Sequence, residues 1–230
     1  KVTNGASVNI NAELTQINCH AQNPASVLAI LVRYAPNANS VQFEDLDFTP
    51  ETAAIFCQWQ SLIHLDLNDC VLPGEYFSQI LNASPSLQSL KLTNIIIETH
   101  VNLATLPNLM DLTIAESEIE SSLFYKLIQL APKLKKLTMH ELGLQRTNVD
   151  APASFNAPNL EHLEYTPTAS AKVFNHIITA SPQLKHLIVE FKTSPAMIDI
   201  LKNLTHLLSL RITTNTNLAA VLNEHLPDTA

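Results

Sequence analysis

The stretch SLIHLDLNDCVL, residues 61–72, carries leucine at position 62 and again three and five residues later, at Leu65 and Leu67. This L-x-x-L-x-L spacing of apolar residues occurs nine times, and successive starts are 22 to 26 residues apart. The nine triplets are Leu14/Ile17/Cys19, Ala38/Val41/Phe43, Leu62/Leu65/Leu67, Leu87/Leu90/Leu92, Leu109/Leu112/Ile114, Leu134/Leu137/Met139, Leu160/Leu163/Tyr165, Leu184/Leu187/Val189 and Leu207/Leu210/Ile212. Self-similarity at a period of roughly 20 to 50 residues is typical of stacked repeats, so a repeat array is predicted.

The array extends over most of the 230 residues. No charged or low-complexity stretch interrupts it, and proline outnumbers glycine by 13 to 3, which favours stiff turns over flexible linkers. We therefore predict one elongated domain with the repeat array over residues 14–217. Residues 1–13 are predicted to form an N-terminal cap or the remnant of a preceding repeat, and residues 218–230 a C-terminal cap helix and tail.

Each repeat is predicted to contribute one strand and, in most cases, one helix. The second and third residues of a triplet are two positions apart, so their side chains lie on the same face of a short strand. Because the chain returns to the same place in every repeat, these strands are predicted to pair in parallel. Segments with apolar residues at helical spacing lie between them, at 27–34, 76–81, 123–130, 173–178 and 197–204. The predicted fold class is therefore α/β.

Prolines indicate where the predicted helices end and begin. Proline cannot continue a helix and disfavours helical geometry in its predecessor, so it marks the turn into the next strand. At the other end, Thr49-Pro50-Glu51 and Ser194-Pro195 place a capping hydroxyl before proline, which predicts helix starts. Six repeats have proline two residues before the triplet: Pro36, Pro85, Pro107, Pro132, Pro158 and Pro182.

Two segments depart from the strand and helix pattern. Residues 98–106 are too few for more than two helical turns, and residues 145–159 are predicted to be irregular because they contain Pro152 and Pro158 among small polar residues. Two interpretations of the second segment stay open. It is either a binding loop that interrupts the regular repeats or a drifted helix without functional meaning.

The composition excludes several kinds of partner. Aspartate and glutamate outnumber lysine and arginine by 21 to 13, with no basic cluster, so neither nucleic acid nor an anionic membrane is an expected partner. No apolar run reaches the ~18 residues of a membrane span, and the first residues do not resemble a signal peptide. Three cysteines, of which Cys19 and Cys70 fall at positions predicted to be buried, favour a reducing compartment. A cytoplasmic, monomeric protein is expected.

The repeats resemble those of leucine-rich repeat proteins with helical outer walls, of the ribonuclease-inhibitor-like kind. The clearest lines are residues 61–72, which fit L-x-x-L-x-L-x-x-C-x-L in full, NLMDLTIAESEI at 108–119 and APKLKKLTMHELGL at 131–144. An Ala-Pro or Ser-Pro that leads into the strand is most similar to the cysteine-type repeats of F-box/LRR proteins. The position eight after each start, usually Asn or Cys in the family, matches at only two of nine places, Cys70 and Asn215, so the array is divergent.

The resemblance implies a horseshoe-shaped solenoid of about nine repeats. Its parallel sheet would line the concave side, and helices and irregular segments the convex side. It also implies a partner protein bound on the concave face, without a cofactor. An F-box does not occur in these residues, so a role in a ubiquitin ligase would belong to a longer parent chain.

In such repeats the third, fifth and seventh positions, counted from the first residue of the triplet, face the concave side. They carry a mixture of both charge signs, which suits a protein or peptide partner. Adjacent strands are about 4.8 Å apart, so an ion pair between Asp66 and Lys91 is expected. Partner binding is predicted to centre on the middle and C-terminal strip of Asp111, Lys136, His140, His162, Glu164 and His186.

A metal site is the sharper alternative on the same strip. The cluster of His140, His162, Glu164, His186 and Glu190 contains the nitrogen and oxygen ligands that zinc uses. These side chains belong to an open face with no indication of a dry pocket. A solvated polar stripe is therefore the default interpretation, and no metal is predicted.

The sequence favours a protein without catalytic activity. It contains no glycine-rich phosphate loop, H-E-x-x-H, G-x-S-x-G or C-x-x-C motif, and Glu116, Glu118 and Glu120 are interpreted as solvated charges in a turn. The expected function is the binding of a partner protein. One role for such a domain is substrate recognition for a ubiquitin ligase. The alternative is a bacterial or parasite effector that binds a host protein in the host cytosol. A small-ligand receptor is an alternative of another class, with Lys91, Lys136 and Arg211 as its basic residues.

Overall fold

The fold is taken from a computed structural model of the chain. It describes residues 16–20, 24–97, 102–145, 151–152, 154–166, 171–191, 204 and 206–214. Nine strands form one sheet: β1 (Gln16–His20), β2 (Ser40–Glu44), β3 (His64–Asn68), β4 (Ser89–Thr93), β6 (Asp111–Ala115), β8 (Lys136–His140), β10 (His162–Tyr165), β11 (His186–Phe191) and β12 (Ser209–Thr214). Five helices lie between them: α1 (Pro24–Tyr34), α2 (Pro50–Phe56), α3 (Gly74–Asn82), α4 (Ser121–Gln129) and α5 (Ala171–Thr179).

All pairings in this sheet are parallel, and the strands are arranged in the order in which they occur along the chain. The register joins equivalent positions of successive repeats, so Leu65 pairs with Leu90, Leu90 with Leu112 and Leu112 with Leu137. This confirms the predicted α/β fold with a parallel sheet. The register follows from the near-constant repeat length, which returns each triplet to the side of the previous one.

The helices begin and end close to the predicted places. Four of the five segments with helical spacing lie in α1, α3, α4 and α5, whereas 192–203, with Ser194-Pro195, lie outside the described residues. Helix α2 begins after Thr49, whose side chain accepts a hydrogen bond from the backbone N–H of Thr52 at 3.2 Å. The hydroxyl of Thr52 in turn accepts one from the backbone N–H of Thr49 at 2.7 Å. This reciprocal capping satisfies two backbone donors.

The hydrophobic core lies between the sheet and the helices. The second triplet residue is at most 1% exposed in every repeat from Val41 to Leu187, and the apolar faces of the helices join the same cluster. Trp59 is fully buried there, and its indole N–H donates a hydrogen bond to the carbonyl oxygen of Ala35 at 2.9 Å, which links neighbouring repeats. Leu210 in β12 is the exception at 47% exposed. Because the five described helices pack on one face, the opposite face of the sheet is left open by the part of the chain that the structure describes.

In several repeats a second, short strand follows the strand of the main sheet, and these short strands form a smaller parallel sheet. It consists of β5 (Ile96–Ile97), β7 (Glu118–Glu120) and β9 (Gly143–Gln145), and single bridges extend it to Val71 and Asp47. The interpretation of Glu118 and Glu120 as turn residues was therefore wrong, because they pair in register with neighbouring repeats. The chain enters this sheet through one residue per repeat in the left-handed region, with φ of 45° to 54° at Asp45, Asp69, Asn94, Glu116 and Glu141.

Apart from Gln145, the irregular segments agree with prediction where the structure describes them. Residues 102–106, 151–152 and 154–159 contain neither helix nor strand. Gln145, which was predicted to be irregular, is instead the last residue of β9, where it pairs with Glu120. Residues 98–101, 146–150 and 153 lie outside the described residues, as do the predicted caps at 1–13 and 218–230. In the part of the chain that is described, no helix combines the length and apolar composition that a bilayer crossing requires.

Candidate interaction face of the parallel sheet

The open face of the sheet, formed by the third, fifth and seventh positions, brings the six predicted site residues together on four adjacent strands. Asp111 pairs in register with Lys136, Lys136 with His162, and His162 with His186. These four residues thus form one row across β6, β8, β10 and β11. Glu164 and His140 lie in the two rows beyond it, towards the carboxyl ends of the strands. Strand pairing therefore brings Asp111 and His186, 75 positions apart in sequence, to within three strand spacings of each other.

Charged side chains on this face pair between adjacent strands. Lys91 Nζ lies 3.1 Å from Asp66 Oδ2, which confirms the expected ion pair. Lys136 Nζ lies 3.7 Å from Asp111 Oδ2, and both side chains remain more than a third exposed. Such exposed pairs contribute about 0 to 1 kcal/mol to stability, so their main effect is to hold charges at defined places.

Two histidine rings stack at the end of the row. The ring centroids of His162 and His186 are 4.3 Å apart and the planes are inclined by 9°. Although His162 is exposed overall, the stack removes water from one face of its ring. This burial, and secondarily the charge of His186, lowers the pKa of His162 below its ordinary value. The pair therefore forms a flat platform whose His162 ring is neutral near pH 7.

His140 is held by two polar neighbours. Its Nδ1 lies 2.8 Å from the hydroxyl oxygen of Thr166, and its Nε2 lies 3.5 Å from Glu164 Oε1. Both ring nitrogens thus face partners on β10 or directly after it. The ring is fixed in orientation and is placed beside the carboxylate.

The arrangement does not favour the zinc alternative. Ring lone pairs lie in the ring plane, so the parallel rings of His162 and His186 cannot both point at one ion between them. Among the described residues no group of three His, Cys, Asp or Glu side chains is placed to hold a metal. Glu190 lies on β11, where its register partner is Thr213.

The same face contains three buried side-chain oxygen atoms that have no hydrogen-bond partner among the described residues. Within the described part of the chain they are Asp66 Oδ1, Thr93 Oγ1 and Thr138 Oγ1, and all three residues occupy fifth or seventh positions. Thr138, predicted to face outwards, is only 6% exposed, because its register neighbours Thr113 and Glu164 flank it. Unsatisfied buried oxygens are rare in folded proteins, so their confinement to one face calls for an explanation.

Sequence reasoning missed two features of the site region. The stack of His162 on His186 follows from the same column argument that predicted the Asp66–Lys91 pair, since both histidines fill the third position of consecutive repeats. The left-handed turns and the second sheet left a weaker signal, the apolar residues at 46, 48, 70, 72, 95 and 97 that alternate after the strands.

The comparisons with known proteins do not assign a family. A scan against protein-family models and a search of curated proteins both find no match for this chain.

Proposed function

We propose that the chain is a non-catalytic protein-interaction domain of the leucine-rich repeat type, with the nine-stranded sheet lining the concave side of a horseshoe. Support comes from the in-register pairing of the L-x-x-L-x-L triplets and from helices that pack on one face only. The partner is bound by the open face, which in this proposal is the concave face. Its centre is the strip of Asp111, Lys136, His140, His162, Glu164 and His186.

The observation that carries this proposal is the unused hydrogen-bonding capacity of Thr138. Its hydroxyl oxygen is buried, has no hydrogen-bond partner and lies in the fifth-position row with Glu164, next to the row of Lys136 and His162. An unsatisfied buried hydroxyl costs about 1 to 3 kcal/mol in the free protein. A partner group that reaches between these side chains would recover that cost on binding.

The chemistry of the strip favours a protein or peptide over a small anion. The cations Lys91 and Lys136 each pair with a carboxylate, Asp66 and Asp111, so neither offers an uncompensated positive charge to an anionic ligand. Mixed charges and aromatic rings on a partly exposed surface are typical of protein interfaces. The small-ligand receptor is therefore the weaker alternative.

A Thr138→Val variant separates this function from a purely structural role of the face. Valine has nearly the same shape but no hydroxyl, so thermal stability is expected to stay equal or rise, while capture of the partner falls severalfold. The measurement is quantitative mass spectrometry of proteins retained from lysate by the immobilised domain, with melting temperatures of each variant.

Charge variants complete this test. His162→Ala, Glu164→Ala and His186→Ala are expected to weaken capture, whereas Lys126→Ala and Glu75→Ala on helices α4 and α3 are not. Affinity is also expected to change as the pH falls below about 6.5, because protonation of His162, whose pKa is lowered by burial, then adds charge to the strip. If only the helix variants reduce capture, or if Thr138→Val retains every partner, the concave-face proposal is wrong.

A further inference from the structure

The stacked rings of His162 and His186 have an open end towards β12. Their centroid distance of 4.3 Å is close to the spacing of about 4.8 Å between adjacent strands, so the stack runs across the sheet from strand to strand. A further ring in the same stack would lie over the third position of β12. That position holds Ser209, which pairs in register with His186 and is exposed. A serine side chain is too short to cover the face of an imidazole, so this end has room for one more ring.

The other end of the stack is already occupied. The register partner of His162 on that side is Lys136, which has a long side chain. Its ammonium nitrogen lies 3.7 Å from Asp111 Oδ2. A ring that stacked on His162 from this side would have to displace the ion pair, so a guest ring is expected at the His186 end.

An apolar side chain stands next to the open end. Ile188 follows His186 by two residues on the same face of β11 and is 38% exposed. Among the third, fifth and seventh positions of all nine repeats it is the only large aliphatic residue. Anchor residues of protein interfaces are most often large side chains that bury apolar and aromatic surface together. The open end of the stack and Ile188 together provide such a surface.

Arg211 indicates the charge of the group that would fit there. It follows Ser209 by two residues on the same face of β12, and its register partner is Ile188. Among the described residues none forms an ion pair with its guanidinium group. This cation would repel a lysine or arginine of the partner. A neutral aromatic ring within about 6 Å would instead be attracted, because its face carries partial negative charge.

We propose that the partner protein inserts one aromatic side chain, which continues the stack of His162 and His186 over Ser209. In this complex Ile188 and Arg211 flank the inserted ring. The proposal names the partner chemistry of the concave face and therefore rests on the proposed function. It places the anchor at the carboxyl-terminal end of the strip, where the third-position row changes from rings to a small side chain.

The test uses N-acetylphenylalaninamide, which carries the side chain alone, in titrations of the whole chain followed by NMR of the histidine ring protons. The His186 ring signals are expected to move upfield and to saturate, because a stacked ring shields the protons that lie over its face. The expected Kd is in about the millimolar range for so small a ligand. N-acetylleucinamide has no ring and is expected to bind at least about fivefold more weakly.

A matched pair of variants tests the position of the guest ring. Ser209→Phe places the chain's own ring beside His186 and is expected to abolish binding of the probe. Ser89→Phe adds the same ring beside His64, the corresponding histidine of β3, and is expected to leave the affinity unchanged. The ring signals of His64 are the internal control and are expected not to move, because the next residue on that face is the ion-paired Asp66. Circular dichroism verifies that each variant is folded.

Two further variants test the flanking side chains without adding bulk. Arg211→Gln removes the cation and is expected to weaken probe binding about threefold. Ile188→Ala removes apolar contact area and is expected to weaken it about threefold or more. The proposal is wrong if the His186 signals do not respond to the probe, if the leucine compound binds equally well, or if Ser89→Phe blocks binding as strongly as Ser209→Phe.

Partner capture separates this proposal from the function on which it rests. If Thr138→Val and Ser209→Phe both reduce capture, and the probe stacks on His186, the anchor is supported. If Thr138→Val reduces capture and Ser209→Phe does not, the concave face binds the partner but the aromatic anchor is wrong. If neither variant reduces capture, the concave-face function itself is wrong, and the anchor with it.

Discussion

Leu137 is one of the buried side chains through which the sheet packs against the helices. It is fully buried in β8 and pairs in register with Leu112 on one side and Leu163 on the other. Its neighbours Lys135 and Lys136 in the same segment are exposed. Leu137 and the preceding Lys136 thus lie on opposite faces of the sheet, as the period of two in a strand requires.

Replacing Leu137 by aspartate tests this register. The change Leu137→Asp places an unpaired charge in the core, and we expect it to lower the free energy of unfolding by more than about 4 kcal/mol. Lys135→Asp introduces the same side chain at an exposed position and is expected to cost less than about 1 kcal/mol. Urea denaturation followed by the fluorescence of Trp59 measures both; equal stability of Leu137→Asp and the parent would show that the register is wrong.

The lowered pKa of His162 links one residue to the pH dependence of stability. In the folded chain the stacked ring resists protonation, whereas in the unfolded chain it accepts a proton near pH 6.5. As the pH falls from about 6.5 towards the lower folded-state value, the unfolded chain binds the proton first, so stability decreases. Above pH 6.5 both states are neutral and this contribution is constant.

The corresponding measurement is the free energy of unfolding between pH 5 and 7.5 for the parent and His162→Gln. The variant is expected to lose less stability on acidification than the parent does. Ser40→Gln, at the third position of the repeat that contains β2, is the matched control, because it introduces glutamine on the same face without removing a titratable group, and it is expected to keep the parent's pH profile. A steeper loss in His162→Gln would contradict the assignment of this effect to the stacked pair.

At the scale of the element, a residue in the left-handed region follows five strands of the main sheet and leads the chain towards the second sheet. This position holds Asp45, Asp69 and Asn94 after β2, β3 and β4, whereas it holds Glu116 and Glu141 after β6 and β8. Asn and Asp tolerate this backbone region because their short polar side chains bond locally. Glutamate has no such compensation.

We therefore expect Glu116→Asn to stabilise the protein by about 0.5 to 1 kcal/mol, since it relieves part of the cost of the left-handed conformation. Glu118→Asn, two residues later in β7, is the control and is expected to have no stabilising effect because strands disfavour Asn. The measurement is the melting temperature of both variants and of the parent at one pH. A lower melting temperature for Glu116→Asn would mean that the glutamate side chain has a contact worth more than the backbone strain.

At the scale of the whole molecule, each repeat contacts mainly the one before and the one after it. Strands follow chain order without exception in the described sheet, and the core is continuous from α1 to β11. In such an array the stability is approximately a sum of repeat terms and nearest-neighbour interface terms. Distant repeats are therefore expected to act independently.

Double substitutions test this independence. Leu65→Ala and Leu163→Ala lie four strand spacings apart, about 19 Å, and their effects on unfolding free energy are expected to add within about 0.5 kcal/mol. Leu137→Ala and Leu163→Ala are register partners and are expected to deviate from additivity by more than that, because they share one cavity. Coupling of the distant pair as strong as that of the adjacent pair would contradict nearest-neighbour stacking.

Local periodicity was sufficient to predict the nine strands of the main sheet, their parallel order, the buried leucines, four helices and the pairing of Asp66 with Lys91. The physical reason is that a repeat of nearly constant length brings equivalent positions together, so a spacing in sequence becomes a contact in space. The helix start after Thr49 was predictable in the same local way, because hydroxyl, proline and first turn are consecutive. The partner-binding strip and the absence of catalysis remain predictions.

Only the tertiary structure decided how the side chains on each surface meet. Four residues of the strip, Asp111, Lys136, His162 and His186, form a row because the register aligns third positions. The face-to-face stack of His162 and His186 and the burial of Thr138, by contrast, depend on neighbours from several strands at once. The bridge between Val71 and Ile96 depends on left-handed turns that create a second sheet, and no single repeat specifies that pairing. Stacking distances, burial and pKa shifts arise from the packed array, whereas strands and helices arise from each repeat's own pattern.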